Sequence, residues 1–179
     1  SVTVNIVDAS LSDSDNSSSV TFEFSEDVTG FDASDVSVSG GVLSAFAAVD
    51  GNSFSATFTA NDGIEASGSV SVGTGYSDAA GNVGSAGSDT VSIDTLNPSV
   101  TVNIVDASLS DSDNSSAVTF EFSEDVTGFD ASDVTVSGGV LSAFAAVDGN
   151  SFTATFTADE GVQATGSVSV GTGYTDAVG

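Results

Sequence analysis

Alternating apolar and polar residues, turn clusters at regular intervals and an internal repeat predict an all-β protein of tandem antiparallel β-sandwiches. The repeat is the plainest of the three signals. Ser1–Ser10 returns unchanged as Ser99–Ser108, and the offset of 98 residues holds without a gap to Gly179. About ten aligned positions differ, most of them mildly: Ser37 becomes Thr135, Ser55 becomes Thr153 and Ile64 becomes Val162. A unit of this length is a comfortable single domain, which divides the chain into repeats 1–97 and 98–179. Duplicating a whole domain is how spacers, stalks and fibres are built, whereas an active site is usually built once.

Within one repeat, Val2, Val4 and Ile6 alternate with polar neighbours. The same holds for Val20, Phe22 and Phe24, for Val36 and Val38, for Phe54, Ala56 and Phe58, for Val70 and Val72, and for Val91 and Ile93. Period two turns one face of each strand to a core and the other to water, and Thr and Ser fill the wet face. Ser39-Gly40-Gly41, Asp50-Gly51-Asn52, Asn61-Asp62-Gly63 and the stretch Gly73–Ser88 punctuate these runs as turns. Seven strands follow, near 2–7, 19–25, 35–39, 42–49, 53–60, 67–73 and 88–94, with 42–49 the least regular. Seven short antiparallel strands in such a unit are the signature of an immunoglobulin-like sandwich. With no Cys pair and no Trp, Phe22, Phe24, Phe46, Phe54 and Phe58 are expected to fill its centre.

Gly179 aligns with Gly81, so repeat 98–179 lacks a counterpart of the last strand. Three readings stand open. The chain is a fragment of a longer array, or a neighbouring chain supplies the strand as in donor-strand polymers. In the third, residues 82–97 belong to the second unit and the first is incomplete.

All 26 charged side chains are acidic, with no Lys, Arg, His, Cys, Met or Trp, and Pro98 is the only proline. Binding to nucleic acid or to anionic lipid runs on Lys and Arg, so both are excluded as partners. Disulfides and thiol chemistry are excluded as well. No apolar run is long enough to span a bilayer and no signal peptide is seen. Trypsin has nothing to cut, which suits exposure outside a cell. Two carboxylates about 5 Å apart repel by roughly 3 kcal/mol at an effective dielectric near 20. A few such pairs would consume most of a domain's net stability of about 5–15 kcal/mol. Clustered carboxylates therefore call for a hard divalent cation, and Ca²⁺ is the natural oxygen-liganded choice.

Tracing seven strands up and down sorts the acids between two poles. Asp13, Asp15 and Asn16, with Asp62, Glu65 and Asp94, fall at the C-terminal pole of the first repeat. Glu124, Asp125, Asp130 and Asp176 fall at the N-terminal pole of the second. The connection is only Thr95-Leu96-Asn97-Pro98, so these carboxylates are expected to converge on one junction, which bound Ca²⁺ would stiffen. Asp13-Ser14-Asp15-Asn16 opens like an EF-hand loop, but Ser18 stands where the Gly is required and Phe24 where the bidentate Glu is required. It is either a plain Ca²⁺ loop or a solvated turn. Glu26 and Asp27 with Asp32 and Asp35 are either ligands or Asx-turn caps. Asp94 paired with Asp78 or Asp176 is the strongest candidate. Asp50 and Asp148 read as turn residues, and Glu23 and Glu121 as solubilising residues on a wet strand face. Asp62 and Glu65 become Glu160 and Gln163, which weakens that site.

Val20-Thr21-Phe22-Glu23-Phe24-Ser25-Glu26-Asp27-Val28-Thr29-Gly30-Phe31 is similar to the core of bacterial Ig-like repeats. Asp35–Gly41, Tyr76-Ser77-Asp78-Ala79-Ala80-Gly81-Asn82 and Ile93-Asp94-Thr95-Leu96-Asn97-Pro98 continue the resemblance along the whole chain. It implies an extender role in large, often type I-secreted surface adhesins and biofilm-associated proteins. There such repeats hold a terminal binding domain away from the cell, commonly rigidified by Ca²⁺ at the junctions. Carried over by position, it implicates Asp78, Asp94 and Asp176. Asn97 replaces the usual Ala before Pro98 and adds a carbonyl.

The expected function is thus a structural extender of a bacterial cell-surface adhesin, extracellular and next to identical repeats in a longer array. One alternative is a subunit of a strand-exchanged extracellular fibre or surface layer. A glycan-binding module is a second, disfavoured because Trp is absent and Tyr76 and Tyr174 are expected to be buried at junctions. No enzyme is expected, since only carboxylate chemistry remains and no acid pair sits in an evident apolar pocket.

Overall fold

The structure is a computed structural model that describes residues 1–161 and 163–179; Val162 lies outside the described residues. It comprises two compact units, Ser1–Leu96 and Asn97–Gly179, one residue from the boundary read in the sequence.

Unit 1 holds ten strands: β1 Val2–Ile6, β2 Ser10–Ser12, β3 Ser17–Phe24, β4 Val28–Thr29, β5 Val36–Ser39, β6 Gly41–Ala48, β7 Ser53–Ala60, β8 Glu65–Val72, β9 Ser77–Asp78 and β10 Gly87–Asp94. One sheet runs β1-β3-β7-β6 and the other β2-β10-β8-β5. This is the sandwich that period two dictates, and each of the seven expected strands is present. The three short additions, β2, β4 and β9, are too brief to show a period. β2 joins β10 in parallel, pairing Ile93 with Leu11, while β4 and β9 form a small ribbon of their own.

The irregular run at 42–49 has a physical cause. β6 shifts register against β7 between Ser44 and Ala47, and Ala45 sits at φ +51°. A bulge inserts an extra residue and flips the alternation that follows. Ala143 repeats the conformation at φ +50° in the second unit.

Phe22, Phe24 and Phe58 are buried as expected, but Phe31 was absent from the expected core and stands at its centre. Its ring meets Phe22, Phe24, Phe46, Phe54 and Tyr76 at centroid distances of 4.8–6.1 Å, all edge-on. Edge-to-face packing matches the negative ring face to a positive edge. Phe31 follows a Gly30 at φ +80° rather than lying in a strand, so no periodicity marked it. Tyr76 is a correction: it is buried in the core of its own unit, against Phe24 at 4.7 Å, and its hydroxyl donates to the Ser85 carbonyl at 2.7 Å.

Unit 2 repeats the first sheet as β11 Val100–Ile104, β12 Ser115–Phe122, β14 Gly139–Ala146 and β15 Ser151–Ala158, in the order β11-β12-β15-β14. Among the described residues its other sheet has β13 Val134–Ser137 and β16 Ser167–Val170. Val118 and Phe120 are fully buried, and Phe129 repeats the role of Phe31.

Candidate functional site

The acids gather at the poles of each unit. At the C-terminal pole of unit 1, Asp94 ends β10 opposite Glu65 of β8 and Ser12 of β2. The β2–β3 turn is closed by Ser12 and Asp15, whose backbones exchange hydrogen bonds at 3.1 and 3.2 Å. It is held to β7 by the Ala60 N–H, which donates to the Asn16 carbonyl at 2.8 Å. Asp13, Asp15 and Asn16 are exposed there. Thr95 fixes the β7–β8 turn to the same pole. It is buried, and its hydroxyl donates to the carbonyls of Asn61 at 2.8 Å and Ile64 at 3.2 Å while accepting from the Ile64 N–H at 3.1 Å.

At the N-terminal pole of unit 2, Ser99 and Ser123 bond reciprocally at 3.0 and 2.9 Å. Thr127 and Thr175 pair through their backbones at 2.8 and 3.1 Å. Those links bring Glu124 and Asp176 together, with carboxylate oxygens within 4.8 Å of each other. Asp176 is buried, and its Oδ1 accepts the N–H groups of Val178 and Gly179 at 2.8 and 2.6 Å. Asp125 lies against the β14–β15 turn, where a Cβ on Gly149 would collide with its carboxylate. Asp27 lies against Gly51 in the same way. In unit 1, Glu26 and Asp78 line one cleft of about 150 Å³ together with Ser1 and Asn82.

Several candidates are already engaged. Asp32 caps a short 3-10 helix, Ala33–Asp35, accepting from the Ser34 N–H at 2.7 Å and its hydroxyl at 2.6 Å, while Asp35 accepts from the Asp32 N–H at 3.0 Å. The Ser34 hydroxyl, then its N–H, hold the Asp32 carboxyl below its ordinary value. Asp130 does the same with Ser132 before the 3-10 helix Ala131–Asp133. Both Asp32 and Asp130 thus serve as helix caps through Oδ1. Asp78 accepts from the Asn82 side chain at 2.7 Å and from the N–H groups of Asn82 and Ala80 at 2.8 Å, and the Asn82 side chain leads in lowering its pKa. Asp50 takes the Asn52 and Ser53 N–H groups in its turn.

Two functional side chains escaped sequence reasoning. Asp89 within β10, and Thr95 just after it, share the inward parity of Val91 and Ile93. A polar residue on an inward parity was the available signal. Asp89 uses it to accept the Ile6 N–H at 2.8 Å.

Two β-sandwiches in tandem, with acids at their poles, define an immunoglobulin-like repeat pair. The chain belongs to the bacterial Ig-like domain family, which matches residues 1–93 and 94–179. Among solved structures it is similar to invasin, a bacterial integrin-binding protein, at 19% identity and TM-score 0.40, over 93% of this chain and 35% of that one. It is also similar to Yersinia pseudotuberculosis InvD, at 14% identity and TM-score 0.29, over 96% of this chain and 57% of that one. A third similar structure, domains 4–9 of the surface layer protein SbsC, shows 13% identity and TM-score 0.23 over 89% of this chain and 27% of that one. The chain thus spans between about a quarter and somewhat over half of these proteins. No curated protein matches it.

Proposed function

We propose that the chain is a non-catalytic extender of a bacterial extracellular surface adhesin, its repeats joined in an array and stiffened by Ca²⁺ where one repeat hands over to the next. The observation that carries this reading is the Glu124–Asp176 carboxylate pair at the pole where unit 2 begins. Like charges at that spacing repel by about 3 kcal/mol at an effective dielectric near 20, and the chain contains no Lys, Arg or His to offset them. Asp94 is five residues from Ser99, a span of at most about 18 Å for extended chain, so its carboxylate is in reach of the same pole.

The donor set fits the ion. Every charged ligand is a carboxylate, the amides that hold Asp176 bond its Oδ1, and Ca²⁺ takes six to eight oxygens from carboxylates, carbonyls and water. Glu124, Asp176 and Asp94 would hold it, and the ion would supply charge neutralisation and a bridge. The Glu26–Asp78 cleft of unit 1 is the same pole one repeat earlier, as an array requires.

Calcium titration by calorimetry tests the reading. The wild-type chain is expected to bind with a dissociation constant of roughly 0.1–1 mM, the range of extracellular modules. Glu124→Gln with Asp176→Asn removes at least one ion from the stoichiometry. Unchanged stoichiometry in that variant, or no heat from the wild type, contradicts the proposal.

A further inference from the structure

The turn that leads into β3 carries an acceptor motif that the acids around it do not use. Asn16-Ser17-Ser18 and its copy Asn114-Ser115-Ser116 read Asn-x-Ser. The near match Asn97-Pro98-Ser99 is blocked by proline at its middle position, and no other asparagine has a hydroxyl residue two places on. Such a motif accepts an N-linked sugar when a secreted protein holds it on a surface loop. Both copies meet that condition. Asn16 is exposed and Asn114 half-buried, each at the exit of a turn closed by reciprocal backbone bonds, Ser12 with Asp15 and Ser110 with Asp113. The Ala60 and Ala158 N–H groups fix the Asn16 and Asn114 carbonyls at 2.8 Å. Among the described residues the two side-chain amides have no hydrogen-bond partner. Those of Asn52, Asn82 and Asn150 are engaged, by the Phe24 carbonyl, the Asp78 carboxylate and the Phe122 carbonyl.

The hydroxyl of the motif is turned the other way. Ser18 and Ser116 are buried, at 2% and 3% exposure. Ser18 accepts the Asp8 N–H at 3.0 Å and donates to the Ser19 carbonyl at 3.2 Å. Ser116 repeats both bonds, with Asp106 at 2.9 Å and Ala117 at 3.1 Å. A transferase that reads this hydroxyl cannot reach it in the folded unit.

We propose that Asn16 and Asn114 are glycosylated on the unfolded chain, from a hexose activated as a diphosphate ester, and that folding then buries the hydroxyl and leaves the sugar in water. The asparagine Nδ2 bonds to the anomeric carbon. The bond from that carbon to the diphosphate oxygen breaks, the diphosphate leaves with the electron pair, and one amide proton is released. The product is a bulky, neutral, hydrating group, set beside Asp13 and Asp15 in one unit and Asp111 and Asp113 in the other. Ser18 serves twice, as the recognised hydroxyl while the chain is extended and as the anchor of Asp8 afterwards. The proposal rests on the extracellular reading above and not on bound Ca²⁺.

Mass mapping of the chain recovered from the surface of the cells that make it, after cleavage at acidic residues, tests this. Added hexose is expected on Asn16 and Asn114 and on no other asparagine. Modified chain already present in the cytoplasm identifies a nucleoside diphosphate sugar as donor, and modification found only after export identifies a lipid-linked one. In vitro, a peptide of residues 10–22 should gain one hexose from UDP-glucose and a soluble N-glucosyltransferase, while the folded chain gains none. Ser18→Ala in the peptide should abolish the gain and Ser18→Thr should keep it. Bare asparagines on chain recovered from the surface overturn the proposal and leave the extender reading standing. Sugar on asparagines outside the two motifs overturns it too, as does transfer to the Ser18→Ala peptide or a folded chain modified as fast as the peptide.

Discussion

The Asp89 carboxylate accepts the Ile6 backbone N–H at 2.8 Å, joining the last strand of one sheet to the first strand of the other. An acidic side chain on the inward parity of a strand is costly unless it is hydrogen-bonded, and this bond closes the gap between the sheets where β1 ends. Asp89→Ala is expected to destabilise unit 1 by about 1.5–3 kcal/mol. Asp89→Asn, which keeps an acceptor, should cost less. Hydrogen exchange on fragments from each unit reads the effect, which should be confined to unit 1.

Thr95 ties the end of β10 to the β7–β8 turn with a single hydroxyl that makes three hydrogen bonds. Thr95→Val keeps the shape and leaves the Asn61 carbonyl and Ile64 amide without that partner, at a cost of about 2–3 kcal/mol. Thr95→Ser should recover most of it. Thermal unfolding of the three proteins provides the measure.

Ala45 holds the β6 bulge in the left-handed region, which costs an L-residue about 1–2 kcal/mol. Ala45→Gly relieves the conformation but frees the unfolded chain, so its net change should stay within about 1 kcal/mol of neutral. Ala45→Val adds a β-branched side chain at positive φ and should cost about 1–3 kcal/mol. Denaturant midpoints separate the two outcomes.

Asp32 titrates below its ordinary value of 3.8 because the Ser34 hydroxyl and then the Ser34 N–H stabilise its charged form, with Asp35 the acid sharing the cap. A depressed folded pKa contributes stability that is present above the unfolded value and lost as pH falls through the folded one. The melting-temperature gap between wild type and Asp32→Ala should therefore be constant from neutral pH down to about 5. It should shrink below pH 3.8. A gap that persists undiminished at pH 2 would count against the cap. Comparing two proteins at each pH cancels the general relief of repulsion that acid brings to so anionic a chain.

Most of this architecture was legible because the strands are amphipathic. Val2 to Ile93 carry a clean period of two, and each run became a strand. The irregular segment at 42–49 could be read as a strand but not as a bulge, since Ala45 carries no Gly or Asn to announce positive φ. Phe31 escaped because it packs inward from a loop, where no period applies. Of the acids that chain tracing assigns to the first pole of unit 2, Glu124 and Asp176 lie together. Separating ligands from caps was not legible, because Asp32 and Asp130 look the same in sequence whether they hold an ion or a helix end.

Small-angle scattering of the intact chain in millimolar Ca²⁺ and again in chelator tests the stiffened joint most directly. The account predicts a longer maximum dimension and a narrower distance distribution with Ca²⁺, and loss of both in Glu124→Gln with Asp176→Asn. Superimposable profiles in the two conditions would contradict it.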